Sequence, residues 1–212
     1  MSVRGVLESS TSDLAHLADH LRRVTVEVTD AGESLGSGLL WPQGCVVTNA
    51  HVARQRRMAV ALVDGRRLVG EVVARNTDAD LALLRVAGAG IPIATVAPSN
   101  AARVGMLVVA LGHPLGVRGA LTVGIIHGIG PIASGGRSWI QADIHLAPGN
   151  SGGPLADASG RVVGLNAMIA GGLALAIPID QVVRFVRAAG VDVGFGAASK
   201  RGADAVTGAD RT

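Results

Sequence analysis

Three short segments hold residue types that could act together in nucleophilic chemistry. Gly149-Asn150-Ser151-Gly152-Gly153-Pro154-Leu155 sets a serine among glycines. Such a backbone can approach a ligand closely and can point successive N–H groups into one anion-holding concavity. Val46-Val47-Thr48-Asn49-Ala50-His51-Val52 places a histidine directly after an apolar run. Asp78-Ala79-Asp80-Leu81-Ala82-Leu83-Leu84 places two carboxylates at the mouth of another. Taken singly, each has an ordinary explanation: a flexible turn, a packed or surface histidine, a turn-forming aspartate. Chemistry links them. A serine hydroxyl needs an adjacent base to attack near neutral pH, and histidine titrates there. The histidine in turn needs an acceptor at its other ring nitrogen. The oxyanion formed on attack needs fixed donors, which the Gly149-Asn150-Ser151 backbone can supply. The order His51, Asp80, Ser151 is one of the known orders of such a set. At this level Asp78 remains a rival to Asp80.

The surrounding elements must bring these segments together. Ser9 to Arg23 predicts an amphipathic helix, capped by Ser12, with Leu14, Leu17 and Leu21 on one face. From Val24 the period becomes two, which signals a strand. Leu39–Trp41 and Cys45–Val47 across Pro42-Gln43-Gly44 predict a hairpin. Met58–Val63 and Leu68–Ala74 predict a second, across Asp64-Gly65. Further strand runs are Leu81–Val86, Leu107–Leu111, Leu121–Ile126, Ser138–Ala142, Val162–Ala167 and Leu173–Ile177. Many short strands with glycine-rich turns argue for an all-β barrel or sandwich, and their number suits two small barrels. Asp180 to Ala189 predicts a closing helix with Asp180 as cap and Gly190 as terminator. The organisation expected is an N-terminal segment with a short helix (1–23), one barrel (24–100), a second with its closing helix (101–190) and a disordered tail (191–212).

Composition narrows the function classes. The 212 residues are 49% apolar and 17% charged, enough for a real core. A long charge-free stretch, between Arg118 and Arg137, is broken by six glycines and a proline. No spanning helix is expected. The start, Met1-Ser-Val-Arg-Gly-Val-Leu-Glu, has no apolar signal-peptide core. A cytoplasmic protein is expected if this is the full chain, an extracytoplasmic one if a signal has been removed. The single Cys45 excludes an internal disulfide and reads as a small buried strand residue. The net charge is +3, with basic groups at Arg54, Arg56, Arg57 and Arg66, Arg67. With only four aromatic residues, Trp41, Trp139, Phe185 and Phe195, these read as a solvated face rather than a nucleic-acid platform. No cluster has metal-ligand spacing and no nucleotide fingerprint is present, so no metal and no cofactor are expected.

Thr48–Val52, Asp80–Leu84 and Pro148–Leu155 resemble the three catalytic blocks of chymotrypsin-fold serine proteases, and of the HtrA/Deg branch in particular. Ala110-Leu111-Gly112-His113-Pro114-Leu115-Gly116, Ile140–Asp143, Gly164-Leu165-Asn166 and Leu175–Pro178 match that branch too. The resemblance covers about residues 22 to 190. It implies two perpendicular six-stranded β-barrels, a chymotrypsin-like all-β fold with short terminal helices. It implies a His51, Asp80, Ser151 triad across the cleft, since Asp80 alone directly precedes Leu-Ala-Leu-Leu. Asn166, Ala167, Met168 and Ile169 would run along the substrate backbone. His145, Leu146 and Leu175 would border a mostly apolar specificity pocket, favouring small aliphatic residues. His145 is also readable as a loop anchor.

The implied activity is a serine endopeptidase acting on unfolded or flexible polypeptide. The alternatives are a protease-fold binding module with a misaligned triad and, more weakly, an esterase, which lacks the usual nucleophile elbow. The resemblance also implies a homo-oligomer, a trimer on the N-terminal segment. Members of the branch usually append a PDZ domain. The 22 residues after Gly190 are fewer than the roughly 50 a small domain needs, so none is expected here. His113 stands where the branch often has Asn, and a structural role is expected for it. Asp143 is expected to anchor a loop, and His16 and His20 to lie on the surface.

Overall fold

The structure, a computed structural model, describes residues 3–88 and 92–191. Twelve strands form two closed antiparallel barrels. The first holds β1 (Thr25–Asp30), β2 (Glu33–Trp41), β3 (Cys45–Thr48), β4 (Arg57–Ala61), β5 (Arg67–Asn76) and β6 (Leu81–Val86). The second holds β7 (Leu107–Gly112), β8 (Ala120–Pro131), β9 (Ser138–Asp143), β10 (Pro154–Asp157), β11 (Val162–Ala170) and β12 (Leu173–Pro178). The orders, β1-β2-β3-β6-β5-β4 and β7-β8-β9-β12-β11-β10, are the same topology used twice. Pairs such as Val28 with Val60 and Ala156 with Val109 close them. Each strand has a partner on both sides, which confines free sheet edge to strand ends that outrun a partner.

Alternation along the strands explains the continuous apolar runs. In β2 and β3, Leu40 and Val46 fill the interior of the first barrel, with Val26, Met58, Val60 and Leu84. Their neighbours Leu39 and Val47 point the other way, into a core shared with Leu165, Leu175 and Ile177 of the second barrel. Strands buried on both faces read as unbroken hydrophobic sequence. The second barrel has its own interior around Val108, Ile126, Ile140 and Leu155.

The N-terminal helix, α1 (Val3–Val24), starts well before the predicted Ser9. Ser12 is therefore an exposed residue within the helix and not its cap. Leu17 and Leu21 pack with Val109 and Leu111 on the second barrel, whereas Leu14 is exposed. The closing helix, α2 (Ile179–Ala188), follows Pro178 without a side-chain cap. Asp180 instead sits in its first turn and pairs with Arg184 at 2.6 Å. Gly190 ends it with φ +79°.

The expected hairpin across Asp64-Gly65 forms between β4 and β5. Leu62 accepts from the Gly65 N–H at 3.1 Å, and only Gly65 in this turn has positive φ. The loop is a four-residue turn with a left-handed glycine, not a two-residue type I′ turn, which would need Asp64 at positive φ as well. Strand β10 has no counterpart among the strand runs legible in the sequence. It is four residues long and begins inside the glycine-rich serine segment, so it carries no periodic signal. Val191, assigned to the tail, is buried and bonded to the Val186 carbonyl at 3.2 Å. The rest of the tail lies outside the described residues. Cys45 is buried, and burial pushes its thiol pKa up.

Candidate active site

His51 follows β3 through a tight turn in which the Asn49 carbonyl accepts the Val52 and Ala53 N–H groups at 3.2 and 3.1 Å. Asp80 is the residue before β6. It adopts φ +53°, a left-handed conformation that aspartate tolerates better than most residues. The Asn49 side chain holds the Asp80 backbone carbonyl at 3.0 Å. In this posture the buried Asp80 carboxylate faces the ring of His51. Nδ1 lies 3.0 Å from Oδ1 and 2.9 Å from Oδ2, and the His51 backbone N–H donates to Oδ1 at 3.1 Å. A proton on Nδ1 is thereby satisfied and Nε2 is left free. Asp78 is exposed, and its backbone carbonyl accepts from Arg137 at 3.1 Å.

Ser151 lies on the loop before β10. Its carbonyl accepts the Ser37 N–H of β2 at 2.7 Å, which ties the nucleophile segment to the first barrel. Close approach demands glycine here. A Cβ on Gly36 would lie 2.9 Å from the Ser151 carbonyl, and one on Gly152 would run into the Ser37 carbonyl.

The backbone of this loop can be accounted for completely. Four consecutive carbonyls accept hydrogen bonds: Pro148 from Leu115 N–H (3.2 Å), Gly149 from the Ser37 hydroxyl (2.7 Å), Asn150 from Gly153 N–H (3.0 Å) and Ser151 from Ser37. The Asn150 N–H closes a turn onto Ala147 at 3.0 Å, with Gly149 at φ +106°. That is the type II pattern, with Pro148 and Gly149 at its centre. The Gly152 N–H donates to Asn166 at 2.8 Å. The N–H groups of Gly149 and Ser151 alone in this stretch have no partner among the described residues.

The Ser151 hydroxyl donates to the Ala167 carbonyl at 2.8 Å. No hydrogen bond joins it to His51 among the described residues. Ala167 is the extra residue of a β-bulge between the Asn166–Ala176 and Met168–Leu175 pairs. Bulges redirect the groups they carry. Next to it a cavity of about 280 Å³ is lined by Leu146, Ala147, Pro148, Asn150, Ser151 and Ala167 to Ile169. No charged side chain lines it.

A model of the trypsin-like peptidase domain matches residues 36–165. The chain belongs to the trypsin-like peptidase family. It is 40% identical over 157 residues to a probable periplasmic DegP-like serine endoprotease of Halomonas elongata, covering 69% of this chain and 33% of that protein. It is 36% identical over 182 residues to the chloroplastic Protease Do-like 5 of Arabidopsis thaliana, covering 73% and 56%. Two structures of the HtrA-type protease AlgW, with a decapeptide and with a tripeptide, align with TM-score 0.76. Their identities are 27% and 31%. Each alignment covers 82% of this chain, and 66% and 62% of the respective AlgW chains. The chain thus spans between a third and two thirds of the lengths of these relatives.

Within this trypsin-like peptidase, the predicted site residues fall into two groups. Leu146, Asn150, Ser151, Ala167, Met168 and Ile169 meet at the cavity. His145 is exposed outside it, Leu175 is buried in β12, and Asn166 is buried with its amide on the Pro154 carbonyl at 2.9 Å. Two neighbours went unassigned in the sequence. Ser37, fully buried, contacts both Gly149 and Ser151, and Thr48 donates to the Ser37 carbonyl at 2.6 Å. The Gly36-Ser37-Gly38 pattern was the available signal, since glycines flanking one polar strand residue mark close backbone approach. The basic groups are spent on exposed or local contacts: Arg56 to Glu71, Arg66 to Asp64, and Arg54 to the His51 carbonyl.

Proposed function

We propose that this chain is a serine endopeptidase that cleaves unfolded or flexible polypeptides after small aliphatic residues. The observation that carries the reading is the loop accounting. Every carbonyl from Pro148 to Ser151 is tied down, while the N–H groups of Gly149 and Ser151 stay free beside the serine. That is an arrangement for receiving negative charge.

In the mechanism, Ser151 Oγ attacks the scissile carbonyl carbon as His51 Nε2 takes the hydroxyl proton. Asp80 keeps the imidazole oriented and stabilises its charged form. The oxyanion is held by the Gly149 and Ser151 N–H groups. Collapse of the tetrahedral species breaks the C–N bond, and His51 returns the proton to the leaving amine. Water, deprotonated by His51, then hydrolyses the ester on Ser151. Before attack the hydroxyl must leave the Ala167 carbonyl and turn to His51.

Beyond Asn166, β11 pairs only with β12 among the described residues. Its other edge from Ala167 onward suits an extended substrate backbone. The uncharged cavity, lined by Leu146, Ala147 and Ile169, suits a small aliphatic side chain. As in the relatives, an extracytoplasmic compartment is the proposed setting. A homo-oligomer built on the N-terminal segment, where residues 12–16 of α1 are exposed, is part of the same reading, and light scattering tests it.

Fluorophosphonate labelling followed by intact mass tests the central claim. One adduct on the wild type and none on Ser151→Ala is expected. A second reading, a latent or binding module, is favoured by the Ser151–Ala167 bond. It would gain if the folded wild type forms no adduct.

A further inference from the structure

Two buried polar side chains, Ser37 and His113, take no part in the proton transfers yet touch the loop that carries them out. We propose that they form a latch, peculiar in using a histidine tautomer, that positions the oxyanion donors. The proposal rests on the endopeptidase reading and adds two positioning residues to it.

The Ser37 hydroxyl has one hydrogen and two lone pairs. The Gly149 carbonyl, 2.7 Å away, can only accept, so the hydrogen goes there. The backbone N–H of His113 donates to the same oxygen at 3.1 Å. The His113 ring nitrogen Nδ1 also lies 3.1 Å from it. With the hydroxyl hydrogen committed, Nδ1 must carry a proton and fill the second lone pair. His113 is 7% exposed, and burial pushes its pKa down to about 4, so the ring is neutral near pH 7. The neutral ring therefore has its hydrogen on Nδ1. Its other side borders a second cavity lined by Arg22, Glu27 and Arg118.

The latch matters because Gly149 is the weak point of the loop. At φ +106° a glycine is not held by its own torsional preference. The free N–H and the carbonyl of Gly149 lie on the two peptides joined at its Cα, so fixing the second limits how far the first can turn about that hinge. The Ser37 hydroxyl bond at 2.7 Å is the short contact opposing that rotation. The alternative donor, the His113 N–H, reaches the Gly149 carbonyl only at 3.3 Å. The same Ser37 residue holds the Ser151 carbonyl through its backbone. One residue of the first barrel thus bonds the carbonyls of both donor residues of the second.

The test uses the full chain and the variants Ser37→Ala, His113→Leu and His113→Asn. The Asn amide nitrogen is bonded to Cγ as Nδ1 is, so it can donate from the same place. Affinity is measured for a peptidyl boronic acid, which forms a tetrahedral adduct, and for the corresponding product peptide, which does not. Amide exchange is followed in fragments covering residues 146–153. Ser37→Ala and His113→Leu should lose about 10- to 100-fold in boronate affinity, less than the loss of a whole oxyanion donor. Product binding should hold, and exchange across the loop should speed up. His113→Asn should recover most of both signals. Wild-type affinity and exchange in Ser37→Ala and His113→Leu would overturn the latch, as would a His113→Asn no better than His113→Leu. If the wild type binds no boronate, the endopeptidase reading falls, and the exchange pattern alone decides the latch. If Ser37→Ala does not fold, the two His113 variants carry the comparison.

Discussion

The hydroxyl of Ser151 is bonded to the carbonyl of Ala167 at 2.8 Å. That carbonyl belongs to a bulge residue on an edge that an incoming peptide backbone would pair with. On the proposed function, substrate and resting hydroxyl compete for one acceptor. A substrate N–H that takes the Ala167 carbonyl would release the hydroxyl toward His51. In a peptidyl boronate complex, crystallography should find Ser151 Oγ off Ala167 and the inhibitor N–H in its place. Methylating that N–H should lower kcat/KM by about tenfold or more, the cost of one lost and unsatisfied hydrogen bond.

Asp80 and Asp78 lie two residues apart and should behave oppositely. Asp80 reaches His51 through both carboxylate oxygens. Asp80→Asn should lower kcat by about 10⁴-fold by favouring the wrong imidazole tautomer. Asp78→Asn, at an exposed position, should stay within about twofold, as for other surface substitutions of small energetic effect. Steady-state peptide hydrolysis measures both. Equal losses would show that the carboxylate has been misassigned.

Gly149→Ala should damage the site more than its size suggests. Its φ is +106°, and a Cβ there would collide with the His113 carbonyl. Strain of this kind costs about 1–3 kcal/mol. Thermal unfolding should shift down, and the rate of fluorophosphonate labelling should fall with it. Gly171, at φ +58° with open space around it, is the control: Ala there should be strained but leave labelling intact.

His113 should make the fold acid-sensitive. Its pKa drops from 6.5 to about 4, first through burial, with Glu27 opposing and Arg118 reinforcing the shift. The unfolded chain binds the proton first as pH falls. Stability is complete above about pH 6.5 and is lost progressively toward pH 4, by at most about 3 kcal/mol. Carboxylates titrate in the lower part of that range. The difference between wild type and His113→Asn isolates the histidine. Denaturant unfolding should show the two diverging below pH 6.5 and parallel below pH 4. Parallel curves throughout would place the charge change elsewhere.

Much of the fold was legible as period and punctuation. The alternation from Val24, the Pro42-Gln43-Gly44 hairpin and the runs at Leu81 and Val162 correspond to strands because local pattern and burial agree there. Strand β10 escaped because four residues beginning at Pro154 complete no period. The start of α1 was misplaced because serine and threonine favour caps but also occupy exposed helix interiors.

The sequence by itself determined which residue types could do chemistry, and in what chain order. It also determined where glycine allows backbone to touch backbone, because only glycine accepts such torsions and distances. Tertiary structure decided the rest. It chose Asp80 over Asp78, put Ser37 beneath both Gly149 and Ser151, and turned the Ser151 hydroxyl to Ala167. Only the Ser37 contacts cross between the barrels, while His51–Asp80 lies within the first and Ser151–Ala167 within the second. All join segments far apart in the chain, and local preference cannot encode them, because they exist only once the barrels have closed and packed on the shared core of Leu39, Val47, Leu165 and Ile177.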